Sequence, residues 1–190
     1  MHPGLVVMAL WVGWLLSWMA AAGWQKRTVK RVAGGAEIRY RLVLIIGGLI
    51  LAIPARRYEG PLRLYRVGWA EAWTCVGLVA AGIAFAWWAR IHLGPLWSGT
   101  VTRKEDHRVV DTGPYAIVRH PIYTGLLLSV LATGVIKGTI PGLVGAIIIT
   151  IGLWMKARLE EQWLRDELGA DAYDAYRSRV PMLVPFFPAG

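Results

Sequence analysis

The stretch GPYAIVRHPIYTG, residues 113–125, sets Tyr115, Arg119, His120 and Tyr123 directly before a long apolar run. A second polar set, Arg158, Glu160 and Glu161, follows the chain's last apolar run, with Lys156 at that run's edge. Pro121 suits the first turn of a helix, where a missing N–H costs no helical hydrogen bond. Arg119 and His120 then sit at that helix's N-terminus, where free backbone N–H groups and the dipole favour an anion. An anion site at this point is the expectation. Other chemistries fit less well. The histidines are His2, His92, His107 and His120, and Cys75 is the single cysteine, so neither Cys-x-x-Cys nor His-x-x-x-His occurs. A metal held by His107, His120 and Glu160 would lack any recognised ligand spacing. Ser98, Ser129 and Ser178 have no Gly-x-Ser-x-Gly surround. GLVGAIIIT at 142–150 lies inside an apolar run and follows no strand, which excludes a dinucleotide-binding turn.

The elements that must position these residues are membrane helices. Of the 190 residues 56% are hydrophobic and the mean hydropathy is +0.45, so distribution decides the class. Apolar runs cover 5–23, 42–55, 67–89, 122–136 and 140–155, and nearly all charge falls between them. Two runs approach the roughly 20 residues that cross a bilayer, and the other three need tilt, local thinning or snorkelling flanks. The fold class expected is all-α: a polytopic bundle of about five transmembrane helices in one domain, 1–190. Residues 1–90 supply N-terminal spans and 91–190 the part that carries chemistry. The turn at 137–141 permits only an antiparallel helical hairpin, which brings the start of the fourth span beside the end of the fifth. The two polar sets converge there. Arg–Glu pairs and an interfacial His–Tyr set are also what membrane boundaries carry for structural reasons alone.

The net charge of +9 is that of a protein with basic cytoplasmic loops rather than of a nucleic-acid binder. With an external N-terminus and five spans, sixteen Lys and Arg fall inside and five outside. The first run is read as a true span, because no basic residue precedes it in 1–5 and it is long for a signal peptide, although Ala20, Ala21 and Ala22 resemble a cleavage site. Tryptophans at the ends of the runs are read as interfacial anchors, and Cys75 as a small core residue that excludes an intramolecular disulfide. Basic linkers at 25–40 and 56–66 read as lipid-headgroup surfaces, so membrane lipids are expected partners. Beyond the last run an amphipathic helix continues to Gly169; Tyr173 and Tyr176 share a face, and 180–187 is apolar enough to return to the interface or cap a cavity.

Four separated stretches, LGPLWSGTV, HRVVDTGPYAIVRHPIYTG, RLEEQWL and YDAYRSRVP, occur in an order and spacing that resemble the isoprenylcysteine carboxyl methyltransferase and phospholipid methyltransferase superfamily of integral membrane enzymes. The resemblance covers 93–185. It implies S-adenosylmethionine as methyl donor, held on the cytosolic side between the hairpin and the C-terminal segment, and a lipophilic acceptor such as a prenylcysteine-type carboxylate or a lipid headgroup. Carried over by position, the cofactor contacts are His107, Arg108, Val109, Val110, Tyr115, His120, Pro121, Ile122, Tyr123 and Glu160. Thr100 stands where carboxyl methyltransferases have a glutamine. The resemblance also implies a substrate-handling cation ahead of the acidic pair, assigned to Arg158 together with Glu161, with Lys156 the alternative in register. His120 suits the donor's carboxylate, Glu160 its ammonium or ribose diol, and Tyr115 or Tyr123 its adenine or sulfonium face. The Gly-x-Tyr-x-x-x-Arg-His-Pro core is shared with membrane sterol reductases, so a nicotinamide-dependent relative is the main alternative, and a non-enzymatic membrane protein on the same scaffold the other.

Overall fold

The structure is a computed structural model that describes residues 1–23, 28–31, 35–58, 60–97, 102–104 and 109–187. Among the described residues six α-helices follow in order: α1 (Pro3–Ala20), α2 (Gly35–Ala52), α3 (Trp69–Leu93), α4 (Pro121–Lys137), α5 (Ile140–Leu168) and the short α6 (Ala170–Arg177). The chain is an all-α membrane bundle in which α4 packs against α3 and α5, α2 lies along α5, and α1 leans on α3. Stretches beginning at Pro3, Trp69 and Ile140 are long and apolar enough to cross a membrane. Helix α4 is apolar but only 17 residues long, and α2 carries Glu37, Arg39 and Arg41 in its first turns. One feature is additional to the helical expectation: β1 (Thr28–Arg31) pairs antiparallel with β2 (Thr102–Lys104), joining the segment after α1 to the segment after α3.

The α4–α5 hairpin follows from its turn residues. Gly138 closes α4 in the left-handed conformation, φ +58°, which its lack of a Cβ permits. Thr139 then opens α5 by accepting a hydrogen bond from the Gly142 N–H, 3.1 Å, with Pro141 in the first turn. At about 1.5 Å per residue α4 is roughly 26 Å long. Counting outward from the turn, Pro121 and Lys156 reach the same height.

Helices α3 and α4 approach closely because glycine faces glycine. A Cβ on Gly125 would run into the Gly82 carbonyl and Ala86, and one on Gly82 into Ser129 and the Gly125 carbonyl. The buried Ser129 hydroxyl lies 3.0 Å from the carbonyls of Val79 and Gly125, locking the contact. Gly125, the last residue of the motif stretch, is thus a packing residue.

Helix α1 is attached by its tryptophans. Trp11 Nε1 donates to Thr133 Oγ1 at 3.0 Å, and Trp18 meets Trp87 and Trp97 edge-on at 5.2 and 5.3 Å. These rings join helices, beyond the anchoring read from sequence; Trp24 lies outside the described residues. Arg90, fully buried, donates to the carbonyls of Gly94 (2.8 Å) and Ala21 (3.1 Å) and lies 4.2 Å above the Trp97 ring. It closes the ends of α1 and α3 on one another, a partnership no local pattern announces.

Candidate functional site

The open end of the α4–α5 hairpin gathers the polar residues. His120 immediately precedes Pro121, and its ring lies parallel to that of Tyr123, 5.4 Å apart with 8° between planes. The Tyr123 hydroxyl sits astride the Glu160 carboxylate, 2.6 and 2.7 Å from its oxygens. Lys156, one turn before Glu160, places Nζ 3.8 Å from Glu160 Oε1 and 5.3 Å above the Tyr123 ring. The buried Tyr40 of α2 completes this side, its ring 5.8 Å from the same ammonium. His120 Nδ1 is 3.7 Å from Glu160 and Nε2 3.4 Å from Glu161, with Nε2 buried and making no hydrogen bond.

Behind this face lies a nearly dry ion pair. Arg119 Nε donates to Glu161 Oε1 at 2.6 Å, the two side chains 1% and 6% exposed. Arg119 Nη1 also donates to the carbonyls of Arg177 and Val180. A buried pair is tolerable only when its remaining hydrogen-bonding capacity is met, and these carbonyls take up the Nη1 donors. Glu161 is therefore committed to structure, whereas Glu160, at 18% exposure, is reachable.

Two N–H groups just ahead of α4, beside the expected anion site, are engaged by the chain itself. The Arg119 N–H donates to the Pro181 carbonyl (2.8 Å) and the His120 N–H to the Met182 carbonyl (3.1 Å). Thr124 Oγ1 donates to the Leu183 carbonyl at 2.6 Å. The segment returning after α6 needs donors for its carbonyls and finds them here.

Tyr115, in the turn Gly113–Ala116, is buried and stacks on His92 at 6.2 Å, and its carbonyl accepts from the Tyr176 hydroxyl at 2.7 Å. Burial, and then the charge of Glu160, push its hydroxyl pKa up, so it stays neutral. Tyr173 and Tyr176 do share a face: they are buried with Val180, with Val109 against them. Val110 packs beside Tyr115 and Ile122, and Pro121 is buried. His107, Arg108 and Thr100 lie outside the described residues.

Arg158 is not part of the cluster. Its guanidinium lies 5.8 Å over the Trp154 ring, and with Glu161, Gln162, Arg165, Asp174, Arg177 and Ser178 it lines a separate cavity of about 500 Å³. The helical phase explains this. Residues 158, 161, 162 and 165 form one stripe of α5, whereas Lys156 and Glu160 are four apart on another. That i, i+4 spacing was the signal in the sequence that distinguishes Lys156 from Arg158. Tyr40 had no comparable signal, since it arrives from a helix remote in sequence.

Comparison with known proteins matches residues 75–166 to the isoprenylcysteine carboxyl methyltransferase (ICMT) family. A protein-S-isoprenylcysteine O-methyltransferase of Schizosaccharomyces pombe is 33% identical over 106 residues, covering 53% of this chain and 43% of the relative. A protein-S-isoprenylcysteine O-methyltransferase B of Arabidopsis thaliana is 33% identical over 90 residues, 45% of this chain and 44% of that one. A methanethiol S-methyltransferase of a Pseudomonas species is 42% identical over 71 residues, 37% of this chain and 26% of the relative. The chain thus spans less than half the length of these relatives. The matched stretch, 75–166, runs from within α3 through the hairpin past the Glu160–Glu161 pair, and over it the chain is similar to the isoprenylcysteine carboxyl methyltransferase family.

Proposed function

We propose that the chain is a membrane methyltransferase that draws on S-adenosylmethionine and methylates a lipophilic carboxylic acid, such as a prenylcysteine, at the cytosolic membrane surface. The observation that carries this reading is the Glu160 carboxylate, gripped by Tyr123 and flanked by His120 and Lys156 at the open end of the hairpin. These relatives are methyltransferases by name, which supports the reaction class. The excess of basic residues in alternate loops supports the cytosolic side.

The residues present fit the donor's cationic half: one reachable carboxylate, a stacked imidazole–phenol plane, and a buried imidazole nitrogen making no hydrogen bond. Bound there, S-adenosylmethionine would supply an electrophilic methyl group on a sulfonium. In this reading Glu160 accepts from an ammonium or a ribose diol, held in orientation by Tyr123. The His120–Tyr123 plane covers a flat or cationic group. In this reading Val109, Val110, Tyr115, Pro121 and Ile122 wall the pocket, and His107 and Arg108 are donor contacts by the resemblance alone. Glu161 acts through Arg119, fixing the backbone on which His120 stands. Lys156 takes the acceptor's carboxylate, a role that passes to it from Arg158 because Lys156 faces Glu160 and Tyr123.

A carboxylate is already ionised at neutral pH and needs no general base. Joining opposite charges is favoured by a site that excludes water and aligns the partners, which the apolar walls provide. A small thiol is the second reading for the acceptor, favoured by the 42% identity to the methanethiol enzyme.

The test is direct. Protein in nanodiscs is titrated with tritiated S-adenosylmethionine and assayed with a farnesylated cysteine analogue and with a small thiol. Saturable donor binding that Glu160→Gln weakens, with label passing to the prenylated acid, is the expected result. Absence of saturable binding overturns the enzyme assignment, and transfer to the thiol alone replaces the acceptor.

A further inference from the structure

Residues 181–187 form a strap across the start of α4, and its outer surface is strongly apolar. Val184, Phe186 and Phe187 are 56%, 98% and 67% exposed. The strap is no loose tail: the carbonyls of Pro181, Met182 and Leu183 accept from the Arg119 N–H, the His120 N–H and Thr124 Oγ1, and the Phe187 N–H turns back onto the Val184 carbonyl. Phe186 holds φ +64°, a left-handed conformation that a bulky aromatic rarely adopts. Among the described residues little covers its ring.

The position of the strap identifies what does. Thr124, which holds Leu183, begins a stripe along α4 that continues through Leu128, Leu131 and Val135, exposed by 39%, 46% and 43%. Spacings of four, three and four residues put these on one helix face, turned away from α3 and α5 and hence toward acyl chains. Thr124 lies one turn inside the start of a helix roughly 26 Å long, so the strap stands at the headgroup level of a hydrocarbon layer about 30 Å thick. Aromatic and aliphatic side chains presented there enter the boundary between headgroups and acyl chains.

We propose that 181–187 is an interfacial anchor whose partner is the lipid surface. Phe186, Phe187 and Val184 seat in the bilayer boundary, and the strap's carbonyls transmit that seating to the backbone of Arg119 and His120. Lipid contact thereby holds the open end of the hairpin in register.

The full chain, with Cys75→Ala, is labelled at Phe186→Cys or separately at Val184→Cys with an environment-sensitive nitrobenzoxadiazole dye and placed in phosphatidylcholine nanodiscs. Val184→Cys leaves both phenylalanines intact. The expected result at both positions is quenching by a nitroxide near the top of the acyl chain at least threefold stronger than by a deep nitroxide, and little quenching by aqueous iodide. Dominant quenching by iodide overturns the proposal, because the strap is then in water. Protection from both quencher types also overturns it, because protein, whether this chain or a second copy, then covers the rings. As an independent readout, Phe186→Asp with Phe187→Asp should raise amide exchange at Arg119 and His120 at least tenfold in nanodiscs; unchanged exchange refutes the transmission.

Discussion

Tyr123 and Glu160 face each other across the open end of the hairpin, the phenol 2.6 and 2.7 Å from the two carboxylate oxygens. One residue opens α4 and the other lies four residues past Lys156 on α5, so the contact exists only because both helices leave the same short turn. Removing the hydroxyl with Tyr123→Phe keeps the ring that stacks on His120 and releases Glu160. A hydrogen bond to a charged group is worth about 1.5–3 kcal/mol, so donor affinity should fall about 10–100-fold while thermal stability stays near wild type. Titration with tritiated S-adenosylmethionine alongside a melting curve checks both halves, and unchanged affinity would remove Glu160 from the donor site.

The two cations of α5 part company in the same assay. Lys156→Met should lower kcat/KM for the acid acceptor about 10–100-fold, the range for losing a charge-assisted contact, and Lys156→Arg should restore part of it. Arg158→Met, on the stripe that lines the other cavity, should stay within about threefold of wild type. The opposite ranking would return the acceptor role to Arg158.

How far the sequence led can be read from these same residues. The hairpin was legible because Gly138 and Pro141 leave no room for anything but a reversal, and the meeting of His120 and Tyr123 with Glu160 follows from it. The choice between Lys156 and Arg158 was also within reach through the i, i+4 rule, yet motif alignment alone pulled toward Arg158. Tyr40 and the carbonyls of Pro181 and Met182 were out of reach. Each reaches the site from a segment with no local periodicity that points there, and only long-range packing brings it in. The N–H groups of Arg119 and His120 are engaged for that reason. The β1–β2 pair was likewise hidden, since its few residues come from two polar linkers with no alternating pattern.

The Arg119–Glu161 pair is predicted to govern stability before it governs activity. Arg119→Met strands a carboxylate 6% exposed, and breaking a buried pair from one side costs about 3–5 kcal/mol. The double variant Arg119→Met with Glu161→Gln removes the stranded charge and should regain a large part of that loss. Thermal unfolding in nanodiscs measures both. A double variant no more stable than Arg119→Met would mean that the carbonyl contacts of Arg119 to Arg177 and Val180 matter more than its ion pair.

The docking of α6 onto the end of α5 should depend on pH through Asp174. Arg165 donates to both Asp174 oxygens, Nε at 2.9 and 3.0 Å and Nη2 at 2.8 Å. That hydrogen bonding, and the charge of Arg165 after it, hold the Asp174 carboxyl below its ordinary value. A carboxyl lowered by folding stabilises the folded state above its unfolded pKa, about 4, and that contribution disappears as pH falls through the lower folded value. Both side chains are more than two-fifths exposed, so the effect is local and weakened by salt. Amide exchange across residues 170–177, corrected for intrinsic rates, should therefore show protection at pH 6 that declines toward pH 3. Asp174→Asn should begin at the lower protection and vary less with pH, because it has no carboxyl to protonate. Equal pH dependence in both proteins would assign the acid sensitivity of α6 to other groups.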